Sequence, residues 1–172
     1  MARPYPAELA TDIVHRGETL HIRPVRPEDK ELIVAEVGKR MTPEDLRMRF
    51  FGPIHGLSPE MAERLYNIDY DREMAFLLFN GGELEGLSRL VVEAGGEEAE
   101  FALTIASDRK RRGYGQLMMT HLLDYARSRG IKRVVGHVLR ENDGMLALMD
   151  KLGFVRNARV SRGPDLRVEK VL

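Results

Sequence analysis

Three apolar runs separated by pairs of glycine constrain the fold of this chain more than any other feature. They read "MAFLLF" (residues 74–79), "ELEGLSRLVVE" (83–93) and "EEAEFALTIAS" (97–107), with Asn80-Gly81-Gly82 in the first gap and Gly95-Gly96 in the second. Asn-Gly supplies the positive φ angles that a tight hairpin turn needs, so the runs predict a three-stranded antiparallel meander. Helical grammar surrounds it. Thr42-Pro43-Glu44-Asp45 and Ser58-Pro59-Glu60 each place a capping hydroxyl, a proline at the first helical position and acid in the first turn. "EDKELIVAEVGKR" is a further amphipathic helix, led by "TLHIRPVRP", which alternates as a strand. After the meander, Met118, Leu122, Tyr125 and Ala126 recur at helical spacing over residues 116–129, and Gly130 closes that helix. "IKRVVGHVL" is a β-branched strand and 142–151 a short helix. "VRNARVSR" and "LRVEKVL" are two last strands joined by Gly163-Pro164-Asp165. The order predicts an α+β domain, a mixed and mostly antiparallel sheet of about six to seven strands flanked by helices.

The 172 residues, 43% of them hydrophobic, suit one domain over 1–172, with 1–17, which holds Pro4 and Pro6, as an extended arm. Lys and Arg number 27 against 27 Asp and Glu, so no chain-wide field draws the protein to nucleic acid or to a membrane. The absence of cysteine excludes a thiol nucleophile, a disulfide framework and Cys-ligated metal. His15, His21, His55, His121 and His137 have no metal-ligand spacing, so no metal is expected and each reads as a surface or packing histidine. Ser88 in "GLSRL" lacks the closing glycine of a nucleophile elbow. No secretory signal is read at the N-terminus, and the expected localisation is cytoplasmic.

One local feature does point to an anion. Lys110-Arg111-Arg112-Gly113-Tyr114-Gly115 lies after the third meander strand and before a helix. Gly113 and Gly115 let main-chain N–H groups approach a ligand closely. The helix start aims its unsatisfied N–H groups at the same place, which suits a pyrophosphate. A Walker A loop fails because Gln116-Leu117 stands where Lys-Ser/Thr is required, and a dinucleotide fingerprint fails at Met118.

In this frame the chain resembles the Gcn5-related N-acetyltransferase (GNAT) superfamily, whose signature is Gln/Arg-x-x-Gly-x-Gly/Ala between a strand and a helix. Lys110 departs from the usual first residue but keeps a long donor side chain. "NDGMLALMDKLGF", from Asn142 to Phe154, is similar to a second family block. "ELATDIVHRGETLHIRPVRPEDKEL", "MRFFGPIHGLSPEM" and "YNIDYDREMA" look like the acetyltransferase domain of bacterial Pat-type protein lysine acetyltransferases.

The resemblance implies a GNAT fold, acetyl-CoA as cosubstrate and a protein partner bearing the target lysine, with acyl-CoA synthetases as implied targets. It places Leu103, Thr104 and Ile105 along the pantetheine arm, Lys110, Arg111, Arg112, Gly113, Tyr114, Gly115 and Gln116 around the pyrophosphate, and Asn142 on the other side. A lysine with a pKa of about 10.4 is neutral only roughly one time in a thousand near neutral pH, so a proton acceptor or water relay is needed. The resemblance sets Glu100 in that role, and Glu98, on the same strand face, is the alternative. Direct transfer asks for a pKa raised by apolar neighbours such as Phe101, and otherwise ordered water carries the proton. Met149 stands where many relatives hold a tyrosine acid, so no general acid is assigned. Asp69, Asp71 and Glu73 are a possible lure for a basic target or simply a solvated loop. A small-molecule amine acetyltransferase and a non-catalytic acyl-CoA sensor are the alternative functions.

Overall fold

A computed structural model describes residues 2–51, 58–110, 112–160 and 163–172. The chain begins with a 3-10 turn at Ala7–Leu9 and a hairpin of β1 (Thr11–His15) and β2 (Glu18–Pro24). Three helices follow, α1 (Lys30–Arg40), α2 (Pro43–Phe50) and α3 (Pro59–Tyr66). Then come β3 (Glu73–Asn80), β4 (Glu83–Val92), β5 (Glu98–Ile105), α4 (Tyr114–Ser128), β6 (Arg133–Leu139), α5 (Asp143–Lys151), β7 (Val155–Asn157) and β8 (Asp165–Val171). The eight strands form one sheet in the order β1-β2-β3-β4-β5-β6-β8-β7, antiparallel except for β5 beside β6.

The predicted meander is β3-β4-β5, and its first turn is Gly81-Gly82, both at positive φ. Thr42 and Ser58 cap α2 and α3 by accepting from the backbone N–H groups of Asp45 and Met61. The eighth strand is β1, inside the stretch read as an arm. Arg16 and Gly17, at φ of 50° and 83°, make a two-residue turn that pairs His15 with Glu18. Of the run "VRNARVSR" only Val155–Asn157 is strand, and residues 161–162 lie outside the described part.

Strand alternation divides the sheet into two faces. Phe76 packs its ring edge on His121 and Tyr125 of α4, so its face, shared by Leu78, Leu90, Leu103 and Phe101, carries α4 and the main core. Gly86 on that face admits α4, because a Cβ there would meet the Met118 sulfur at 2.7 Å. The other face, with Glu100, Ala102 and Thr104, lies under α2. Met118, Met119 and Met149 are buried in the core, and Ser88 is sealed beneath α4 with no exposure to a substrate.

Pairing between β5 and β6 stops after Glu100↔Val135, and from Phe101 onward the two strands diverge. Gly136 stands at the point of divergence, with the Phe101 ring so close that a Cβ would overlap its edge. Beyond it, residues 101–105 of β5 are paired with β4 on one side and open on the other.

Candidate active site

The divergence opens a cavity of about 880 Å³ whose wall on one side is β5 from Glu100 to Ile105. The start of α4 (Gly113 to Gln116), Asn142, Met145, Leu148 and His137 also line it, and α2 covers it with Met48, Arg49 and Phe50. The cavity therefore has a strand of free peptide groups along one wall and a helix N-terminus at one end.

That N-terminus has no side-chain cap among the described residues. Gly113, at φ +81°, precedes α4 with no side-chain cap, and the first intrahelical bond is that of the Leu117 N–H to the Gly113 carbonyl. The N–H groups of Tyr114, Gly115 and Gln116 are thus left for an anion. Asn142 caps α5 with its carbonyl oxygen on the Met145 N–H, 3.2 Å, while lining the opposite wall. Tyr114 contributes backbone only, since its buried hydroxyl donates to Glu18, 3.2 Å, and accepts from Asn80, 3.4 Å.

The basic run is dispersed. Arg109 reaches Glu83 at 3.2 Å and the buried Glu85 at 3.0 Å, so it anchors the loop to β4. Glu85 is the extra residue of a bulge in the β3–β4 ladder, and this turns it inward between Arg40 and Arg109. Burial raises the Glu85 carboxyl above its ordinary range against the pull of both arginines. Lys110 is bonded to Asp45 of α2, which also accepts from Ser107. Burial would lift the Asp45 carboxyl, but these bonds hold it below the usual carboxylate range. Arg112 is exposed, and its carbonyl accepts from His15 Nε2 at 2.8 Å. Arg111, like His55, lies outside the described residues. Arg16, a cation that sequence reading missed, lines the cavity from the β1–β2 turn, and its guanidinium lies 3.1 Å from where a Gly113 Cβ would stand.

At the other end, Glu100 lies on the cavity wall, with no Lys or Arg at ion-pair distance among the described residues. Glu98 differs, because Arg167 donates to it at 2.5 Å and it does not line the cavity. Phe101 is no apolar neighbour of Glu100, since alternation sends its ring to the other face, against Gly136 and Phe154. Arg49 crosses above β5 with its Nε–H donating to the Thr104 hydroxyl at 3.0 Å. Burial, with Arg89 nearby, lowers its guanidinium to about 10. Asp69, Asp71 and Glu73 form no open acidic lure. Asp69 accepts three backbone N–H groups, Asp71 meets Arg3 and Arg129, and Glu73 accepts from Arg89.

The family model for the acetyltransferase (GNAT) domain matches residues 19–155, which hold the splayed parallel pair, the glycine loop and the uncapped start of α4. The chain belongs to the GNAT acetyltransferase family. An acetyltransferase of Pseudomonas aeruginosa, PA5475, is 36% identical over 87% of this chain and 80% of its own length. The acetyltransferase Pat of Mycolicibacterium smegmatis is 29% identical over 88% of the chain, which spans only 44% of that protein. Among solved structures, the GNAT domain of S. lividans PAT superposes with a TM-score of 0.90 at 29% identity, covering 98% of this chain and all of that domain.

Proposed function

We propose that the chain transfers the acetyl group of acetyl-CoA to the ε-amine of a protein lysine, with Glu100 as proton acceptor. The observation that carries this reading is the Glu100 carboxylate, unpaired with any described Lys or Arg, at the point where β5 and β6 separate. The cavity fits the cosubstrate in its donor set: free peptide groups of Leu103 and Ile105 for an amide-bearing arm, and the N–H groups of 114–116 with Arg16 for phosphates. Bound there, acetyl-CoA supplies an activated thioester carbonyl. The protein's own task is to strip a proton from an ammonium, which costs about 4 kcal/mol near neutral pH for an ordinary lysine. An exposed carboxylate facing the amine makes that loss local and immediate. The likeness to the S. lividans PAT domain over nearly the whole chain accords with the Pat-type resemblance, which implies a protein acceptor.

Two measurements test the reading. Mass spectrometry of an acyl-CoA synthetase incubated with the protein and acetyl-CoA is expected to find an acetylated lysine only when both are present. CoA binding with no transfer to protein or to small amines points instead to an acyl-CoA sensor, and transfer only to small amines to a small-molecule enzyme. Glu100→Gln is expected to lower turnover by about a hundredfold or more, the usual worth of general base catalysis, while calorimetry shows acetyl-CoA affinity retained. Near-normal turnover in that variant removes Glu100 from the mechanism.

A further inference from the structure

His137 stands across the gap from Glu100. Val135 is the β6 partner of Glu100, and alternation puts His137 on the same sheet face one pleat further along, where the strands have parted. Its Nε2 lies 3.8 Å from Glu100 Oε1, and its Nδ1 lies 3.0 Å from Asp165 Oδ2 at the start of β8. A carboxylate only accepts, so Nδ1 carries the hydrogen and, in the neutral ring, Nε2 keeps a lone pair facing Glu100. His137 also lines the cavity.

We infer that His137, held by Asp165, receives the proton that Glu100 takes from the acceptor ammonium and passes it to solvent. This rests on the Glu100 reading. First an ammonium N–H bond breaks, its electron pair stays on nitrogen, and an O–H bond forms on Glu100. That O–H bond then breaks as an N–H bond forms at His137 Nε2, which restores the Glu100 carboxylate and leaves an imidazolium beside Asp165. Water takes the proton and returns the neutral ring. The nitrogen loses a second proton as the amide forms, and that one is matched by the proton on the released thiol, so the reaction sheds one proton overall. The 3.8 Å separation is longer than a hydrogen bond and must shorten for the transfer, as catalytic contacts do when a site fills. Asp165 is a positioning residue in this scheme, because it fixes the ring and the site of its hydrogen.

His137→Asn separates the relay from a purely structural bond, because the amide keeps an N–H for Asp165 and removes the Nε2 lone pair. The expected result is a fall in kcat of about tenfold or more with KM for acetyl-CoA and calorimetric affinity unchanged, and partial recovery with added imidazole. Nitrogen NMR of the labelled ring is expected to place the hydrogen on Nδ1 in the wild type and to show that preference lost in Asp165→Asn. Full kcat in His137→Asn with no response to imidazole overturns the relay, and so does a wild-type ring protonated only at Nε2. The NMR result decides if His137→Asn loses affinity through misfolding. An inactive Glu100→Gln beside a fully active His137→Asn removes the relay alone, whereas a fully active Glu100→Gln removes both readings.

Discussion

Arg16 reaches the Gly113 end of the cavity through the fold and not through sequence proximity. It follows His15, whose ring is bonded to the carbonyl of Arg112, 97 positions away. Gly113→Ala is expected to strain the loop twice, once through the positive φ and once because its Cβ would meet His15 at 3.0 Å and Arg16 at 3.1 Å. Arg16→Ala is expected to weaken CoA binding by about tenfold, the worth of one charge-assisted hydrogen bond. Calorimetry with CoA and with 3′-dephospho-CoA shows which phosphate it serves, and unchanged affinity for both places Arg16 outside the site. The glycine loop was legible in the sequence because it lies between a strand and a helix, and Asn142 and Glu100 were named as candidates through the family resemblance; all three line one cavity. Arg16 and His137 were not legible in this way. The first depends on a hairpin that brings two distant turns together, and the second on pairing between β6 and β8, which no local pattern reports.

Among the elements, β1 escaped recognition because Arg is an unusual residue at positive φ, so the Arg16-Gly17 turn carried half of the usual signal. The alternation in "DIVH" before it is also too short to stand alone. The meander was legible because glycine filled both positive-φ positions of its first turn. The parting of β5 from β6 left no mark in composition, and Gly136 stands where it begins. The Phe101 ring edge occupies the space that a methyl group on Gly136 would need, so Gly136→Ala must displace Phe101 or β6. Overpacking of this kind costs about 1–3 kcal/mol, so thermal denaturation is expected to show a clear fall in Tm. An unchanged Tm means that the aromatic ring or β6 moves aside freely.

For the whole molecule, the acid limb of stability follows from its buried carboxyls. Asp29 is buried, which alone would raise its pKa, but the paired guanidinium of Arg23 and the Arg26 N–H hold it below the usual range. Asp45 is held down in the same sense. A depressed folded pKa gives stability that is full above the unfolded value of about 4 and is lost as pH falls through the folded one. Glu85, raised by burial, acts the other way and offsets part of the loss, because folding favours its protonated form. Urea midpoints are expected to hold level above about pH 5 and to fall below about pH 4, with Asp29→Asn flattening the decline. A midpoint that climbs on acidification shows Glu85 to dominate. The open flank of β5 has a longer consequence. On the proposed reading, peptide groups would recognise the bound arm without regard to the side chains they carry, whereas the acceptor would meet Glu100, Arg49 and the cover of α2. Donor and acceptor would then be read by different parts of the polymer, and substitutions along α2 would retune the choice of amine while the acyl carrier continued to be read by the main chain.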